Sequence, residues 1–138
     1  RSSSQGSLVA LRFAPAPGHV VICDFTTGFM PPEMVKKRPV VIISPRRRRG
    51  RIATVVPLSG TAPTPVESWH VPVSTATYPP ARYQMWAKCD LVATVSLDRL
   101  DRVKVKTREG PRRFEVYEAT AEDLDAICAA VRSYLGFP

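Results

Sequence analysis

This sequence is short of histidine, has little cysteine, and contains no long apolar run. Its histidines are His19 and His70, and its cysteines are Cys23, Cys89 and Cys128. There is no CxxC pair, and two histidines alone do not complete a zinc site, so no metal is expected. The cysteines are odd in number, far apart and set among apolar neighbours. That pattern argues against a disulfide framework and for buried free thiols in a reducing cytoplasm. No apolar run approaches the ~20 residues of a membrane-spanning helix. No secretory signal is visible. A glycine-rich phosphate loop, HExxH and GxSxG are missing too, which sets aside the chemistries those motifs carry. An enzyme built from this chain would work without metal or other cofactor, through Arg, Lys, Asp and hydroxyl groups.

The composition is that of a globular protein. The chain has 138 residues, 44% of them hydrophobic, and a net charge of +8. That length suits one domain with a core that needs no staples. Fourteen prolines argue for many turns rather than long helices. A basic domain of this size is suited to a polyanion. Residues 1–17 read as a tail whose polar opening, RSSSQGS, looks partly foreign to the native chain; residues 18–138 read as the domain.

Periodicity gives many short strands and one helix. HVVICDF (His19–Phe25), RPVVIIS (Arg38–Ser44) and RIATVVPLS (Arg51–Ser59) are rich in β-branched residues. WHVPVS (Trp69–Ser74) alternates but carries a proline, as an edge strand does. WAKCDLVATV (Trp86–Val95) reads as one strand and SLDRL as a short helical turn. DRVKVK and RRFEVYE are placed to pair around Gly110. In TAEDLDAICAAVRSYLG, Thr120 is a helix cap and Asp123 completes a capping-box-like pair. Leu124, Ile127, Val131 and Leu135 recur at helical spacing, and Gly136 stops the helix. The expected fold is mainly β (α+β): a small, strongly curved sheet or barrel with a C-terminal amphipathic helix. Residues Thr26–Lys37 form a long loop with a Pro-Pro break, expected to be mobile.

Two strand-like runs flank a hinge with five arginines, Arg46, Arg47, Arg48, Arg49 and Arg51. The first run begins with Arg38 tied to Pro39. In RNA the 2′-hydroxyl can attack its own phosphate. Catalysis then needs one proton removed, one donated, and the charge on phosphorus held. Arginine offers phosphate a fork of permanently charged donors. Aspartate serves as a base and a serine hydroxyl as a hydrogen-bond donor.

GHVVICDF, then EMVKKRPVVIIS, then TVVPLS, then KCD resemble, in the same order, the motifs of the MazF/PemK (Kid) family of toxin endoribonucleases. The resemblance covers about Gly18 to Gly136. It implies an SH3-like barrel with a C-terminal helix, working as a homodimer. It also implies metal-independent cleavage of single-stranded RNA, chiefly messenger RNA, and silencing by a cognate acidic antitoxin. Arg38 matches the family's catalytic arginine, which would bind the scissile phosphate. Ser59 matches the hydroxyl at the V-P-x-[ST] end, and Asp90 the aspartate proposed as general base. Lys88 stands where the Kid branch has arginine, and is compatible with a general acid. By strand alternation Lys88 and Asp90 would share one face and Cys89 the other. Glu33 matches a glutamate that would orient Arg38 or the substrate. Pro32 replaces the assisting histidine of the Kid branch, and His19 and His70 read as structural.

Each of these residues has a plainer use. Arg38 suits a surface ion pair, Ser59 a turn, and Lys88 with Asp90 a salt bridge. The arginine hinge attracts either RNA or an acidic antitoxin segment, or is a solvated turn. Trp86 and Phe29 are candidates for stacking an unpaired base, or core residues. Two rival functions share the architecture: a CcdB-like inhibitor of DNA gyrase, and a catalytically inactive barrel that binds RNA or protein.

Overall fold

The structure, a computed structural model, describes residues 14–46, 50–108 and 110–138. In chain order the strands are β1 (His19–Asp24), β2 (Lys37–Ile42), β3 (Ile52–Ser59), β4 (His70–Val73) and β5 (Met85–Lys88). They are followed by β6 (Ala93–Ser96), β7 (Leu100–Asp101), β8 (Val103–Val105), β9 (Arg113–Glu115) and β10 (Tyr117–Glu118). One helix, α1 (Ala121–Leu135), closes the chain. All pairings among the described strands are antiparallel. The main sheet runs β10-β1-β2-β3-β5-β4, with β6 added to β3 and β7 to β1. β8 and β9 form a separate hairpin, as expected around Gly110. β4 lies at the sheet edge, where Pro72 is tolerated.

The expected barrel is not closed. β6 pairs with β3 and β7 pairs with β1, so the chain wraps from one side of the sheet to the other. Between them a 3-10 turn, Leu97–Arg99, interrupts the ladder, and no single strand carries both pairings. The mainly β architecture with one C-terminal helix is as expected; the expected hydrogen-bonded closure into a barrel is not found.

Strand alternation divides the apolar residues between two cores. Val21, Cys23, Val40, Ile42, Ala53, Val55, Val95, Leu97 and Leu100 fill the concave side, with Phe25. Val20, Val41, Val56, Leu58, Val71, Val73 and Ala87 face the other way, against Ile127, Ala130 and Val131 of α1. β2 and β3 are buried on both faces, which is why their sequences read as continuous apolar runs. The long loop after β1 has no helix or strand but is tied down. Phe29 and Met34 pack on the concave core, and the Arg99 guanidinium donates to the carbonyls of Asp24 (3.0 Å) and Thr27 (2.8 Å).

The run Trp86–Val95 is not one strand. β5 and β6 both lie along the same edge of β3, but a 3-10 turn, Cys89–Leu91, separates them. Leu58 pairs with Ala87, so an unbroken ladder would set Val55 opposite Asp90. Val55 pairs with Ala93 instead. The three residues of the turn are extruded like a large bulge, and such features re-aim side chains beside sites. Alternation therefore does not place Lys88 and Asp90 on one face; Asp90 has left the strand.

Helix α1 starts and stops close to expectation, with two differences. Thr120 Oγ1 accepts from Asp123 N–H at 3.1 Å, but the Asp123 carboxylate does not return to the Thr120 N–H. It accepts instead from Ser74 N–H at 2.8 Å and from the Thr77 hydroxyl. Thr77 Oγ1 in turn accepts from Thr120 N–H at 3.1 Å. The capping box is thus completed through a fully buried threonine of another loop. At the far end Gly136, at φ 80°, makes a Schellman stop, with Phe137 N–H reaching Arg132 O at 2.9 Å. Leu135 continues the apolar period but is 52% exposed, because the helix has outrun the sheet beneath it. Among the described residues no helix is long and apolar enough to cross a membrane.

Replacing Thr77 by Val keeps its shape but strands both the Thr120 donor and one Asp123 acceptor. Stability should fall by about 1–3 kcal/mol, read as a lower midpoint in urea unfolding. An unchanged midpoint would show that the relay contributes nothing.

Candidate active site

The register assembles a row of side chains across the sheet at one end of its strands. Cys23 pairs with Arg38 between β1 and β2. The β2–β3 ladder ends at Val40 opposite Pro57, and the same register carried on by two residues sets Arg38 across from Ser59. Ser59 pairs with Trp86, and Trp86 with Pro72. Paired residues share a face, so Cys23, Arg38, Ser59 and Trp86 lie side by side at the mouth of the concave core. Neighbouring strands are ~4.8 Å apart, so Arg38, Ser59 and Trp86 span roughly 10 Å.

Two of the predicted residues carry an unusual signature. Arg38 Nε and Asp90 Oδ1 are buried and have no hydrogen-bond partner; they are the only such side-chain atoms among the described residues. Buried polar atoms in folded proteins are nearly always paired, so each such exception invites a functional explanation. Arg38 is half-buried because it continues the Val40–Ile42 face at the core's rim. Asp90 sits in the extruded turn. Ser59, in the row with Arg38, is only 5% exposed. Its Oγ accepts from Thr61 N–H at 3.1 Å, which leaves the hydroxyl hydrogen to donate elsewhere. The turn role and the site role coexist in one atom.

The remaining predicted residues are placed differently. Lys88 ends β5 opposite His70, half-buried and without an ion pair. The ion pairs among the described residues are Arg51–Asp98 and Arg113–Glu115, so Lys88 and Asp90 form no salt bridge. Glu33 is exposed, and its carboxylate accepts from Met30 N–H of its own loop at 2.7 Å rather than meeting Arg38. Phe29 meets Phe25 edge-on at 5.2 Å and carries the Arg99 guanidinium over its ring at 4.9 Å, so it is engaged in packing. Trp86 is half-buried beside Ser59. His70 Nδ1 accepts from Glu67 N–H and His19 Nδ1 from Ala16 N–H, both local structural bonds.

The arginine hinge lies at the other end of β2. Arg46 donates to Ala14 O at 3.1 Å, and Arg51 pairs with Asp98 at 2.7 Å. Arg47, Arg48 and Arg49 lie outside the described residues. From Arg38 to Ile42 alone β2 covers roughly 13 Å, and Arg46 lies beyond that end, so it does not adjoin the row. The sequence reading also passed over Tyr83, which is 73% exposed and lies against Gly60, next to Ser59. A tyrosine in a proline-broken loop gave no periodic signal.

The model of the PemK-like, MazF-like toxins of type II toxin–antitoxin systems matches residues 16–135. The chain belongs to this family. The uncharacterized protein YifN of Escherichia coli (strain K12) is 32% identical, over 70% of this chain and 78% of that one. Among solved structures, MazF from Deinococcus radiodurans has a TM-score of 0.66 at 19% identity, covering 91% of this chain and 99% of that one. An endoribonuclease from a mycobacterial species, in complex with its cognate antitoxin, has a TM-score of 0.60 at 23% identity, covering 91% and 98%. At these identities the structures establish a shared MazF-like fold.

Within this toxin-family chain the thiol beside Arg38 invites attention as a nucleophile. Burial pushes the Cys23 thiol up to about 12, against a smaller opposing pull from Arg99. Burial does the same to Cys89, also to about 12, assisted by Asp90 and Cys128. Neither offers a thiolate near neutral pH, and the thiolate is the reactive form. Asp24 is shifted the other way: hydrogen bonds from the Thr26 hydroxyl and N–H hold its carboxyl below the usual range. No group of three or more His, Cys, Asp or Glu stands together as a metal site among the described residues.

Thiol labelling of the folded protein at pH 8 should therefore modify Cys128, the half-exposed thiol, well before the other two. Cys23 and Cys89 should react only as fast as the fold opens, and all three should react at once in urea. Rapid labelling of Cys23 in the native state would reopen its candidacy as a nucleophile.

Proposed function

We propose that this chain is the toxin of a type II toxin–antitoxin system and a metal-independent endoribonuclease acting on single-stranded RNA, chiefly messenger RNA. The observation that carries this reading is the pair of buried, unpartnered polar atoms on Arg38 and Asp90, with the Ser59 hydroxyl on the same sheet row as Arg38. An unfilled cationic donor, a hydroxyl donor and an unfilled carboxylate oxygen are the parts that transesterification of RNA requires.

In this reading Arg38 binds the scissile phosphate through its guanidinium fork. Ser59 donates to a phosphate oxygen, and both hold the charge that grows on phosphorus. Asp90 takes the proton from the 2′-hydroxyl. The O2′–P bond forms as the P–O5′ bond breaks, and Lys88 or Arg38 supplies the proton to the leaving O5′. The products are a 2′,3′-cyclic phosphate and a 5′-hydroxyl. Trp86, beside Ser59, is placed to stack on a neighbouring base. Glu33 acts through its loop rather than on Arg38. A homodimer in the cytoplasm, silenced by an acidic antitoxin, completes the proposal; the structural neighbours include toxins bound to antitoxins. The hinge arginines attract that partner, or distal RNA, from the far end of β2.

The Arg38→Ala variant tests this directly. Loss of one transition-state donor typically costs about 10²–10³ in rate, so cleavage of a long RNA should fall at least that far. Its urea midpoint should be no lower than that of the wild type, and EDTA should not alter wild-type cleavage. A folded Arg38→Ala protein that cuts at the wild-type rate removes the assignment.

A further inference from the structure

We propose that the cleft between the outer face of β1 and the base of the β8–β9 hairpin binds the phosphodiester backbone of the same RNA strand that Arg38 engages. This rests on the endoribonuclease reading above and adds a second contact region to it. The cleft has a volume of about 270 Å³ and is lined by Ile22, Asp24, Lys37, Arg99, Asp101, Arg102 and Lys104. It stands back to back with the proposed catalytic row. Lys37 precedes Arg38 on β2, Asp24 follows Cys23 on β1, and Asp24 pairs with Lys37. Lys37 and Arg38 are consecutive but point to opposite faces, so a strand held at Arg38 would enter the cleft by turning over this end of β1 and β2.

The charges of the cleft favour an anion. Four cations face two carboxylates, and no pair among them is close enough to be an ion pair. The carboxylates are occupied by their own turns: Asp24 by the N–H and hydroxyl of Thr26, Asp101 by Arg102 N–H at 2.7 Å. Arg99 is committed to the carbonyls of Asp24 and Thr27. Lys37, Arg102 and Lys104 are in no ion pair, although Lys37 acts on Asp24 at longer range, and the lining as a whole stays positive. The half-exposed Phe114 ring steadies two of them, with the Arg102 guanidinium 4.6 Å and the Lys104 ammonium 6.0 Å from its centroid. Lys106, Arg108 and Arg112 extend the basic surface along the hairpin, again without ion pairs.

A polynucleotide backbone fits this arrangement better than a base does. The lining is charged rather than rich in amides, and at least one face of Phe114 already carries a cation. Single-strand binders track the backbone with such cationic grooves. An acidic peptide is the competing occupant. The link through Lys37, the residue next to Arg38, favours the substrate, because a strand anchored at Arg38 that turns over the end of the sheet brings its next phosphates to the cleft as an intramolecular step.

The test compares wild type with the double variant Arg102→Gln, Lys104→Gln on two substrates. One is a single-stranded RNA of ~20 nucleotides; the other is the shortest oligonucleotide the wild type still cuts. On the long RNA, KM should rise roughly ten-fold with kcat little affected, and the salt slope of kcat/KM should shrink by about 0.7 per lost phosphate contact. On the short substrate the gap between the two proteins should close. The charge-keeping variant Arg102→Lys, Lys104→Arg should recover most of the wild-type KM on long RNA, which separates charge from damage to the hairpin. Equal KM and salt slope on long RNA would overturn the subsite, as would an equal loss on both substrates. Unimpaired cleavage with weakened antitoxin binding would also overturn it, in favour of an acidic peptide. If the wild type cuts neither substrate, the endoribonuclease reading itself falls, and the subsite with it.

Discussion

The edge of β3 is the constraint on which the rest of the site depends. β3 is paired on one side with β2 and on the other with two successive strands that do not share a register. The three-residue slip between those ladders lets the chain cross from the catalytic end of the sheet to the wrap that covers the concave core. It also lifts Asp90 out of the plane of the strands. If the ladder ran through, Asp90 would stand opposite Val55 as an ordinary strand residue and one face of β3 would lose part of its apolar cover. Site and fold are therefore set by the same misalignment.

Much of this was legible in the residues. The β-branched runs gave β1, β2 and β3 to within a residue or two, because strands buried on both faces leave few alternatives for such sequences. Pro72 marked an edge strand, and Thr120 and Gly136 bounded the helix. Arg38 and Ser59 were singled out by the family resemblance, but that they face each other across β2 and β3 was not visible before the register was known. The slip at Cys89–Leu91 was not legible. Periodicity sees only that Trp86–Val95 is apolar and β-prone; the break comes from a partner strand far away in sequence. Thr77 was invisible for a similar reason, since its function is to bridge a loop and a helix forty residues apart. Leu135 shows the converse error: its period was right, but nothing in the helix's own sequence says where the sheet ends.

Charge was harder to read than apolar pattern. Five hinge arginines dominate the eye, yet the described ones, Arg46 and Arg51, are separated from the row that holds Arg38 by most of a strand. The cations near the row are dispersed: Lys37 in one strand, Arg102 and Lys104 some seventy residues later. Dispersed charge becomes a site only when topology gathers it. The separate β8–β9 hairpin, packed against the outer face of β1, does that gathering here.

The buried orphan atoms on Arg38 and Asp90 have a consequence for the unliganded protein. Each lost its hydration on folding without gaining a partner, and such a group costs on the order of 1–3 kcal/mol. The resting protein is thus held below the stability its frame would allow. If the proposed chemistry holds, apolar substitutions at these two positions would end it and firm the fold together.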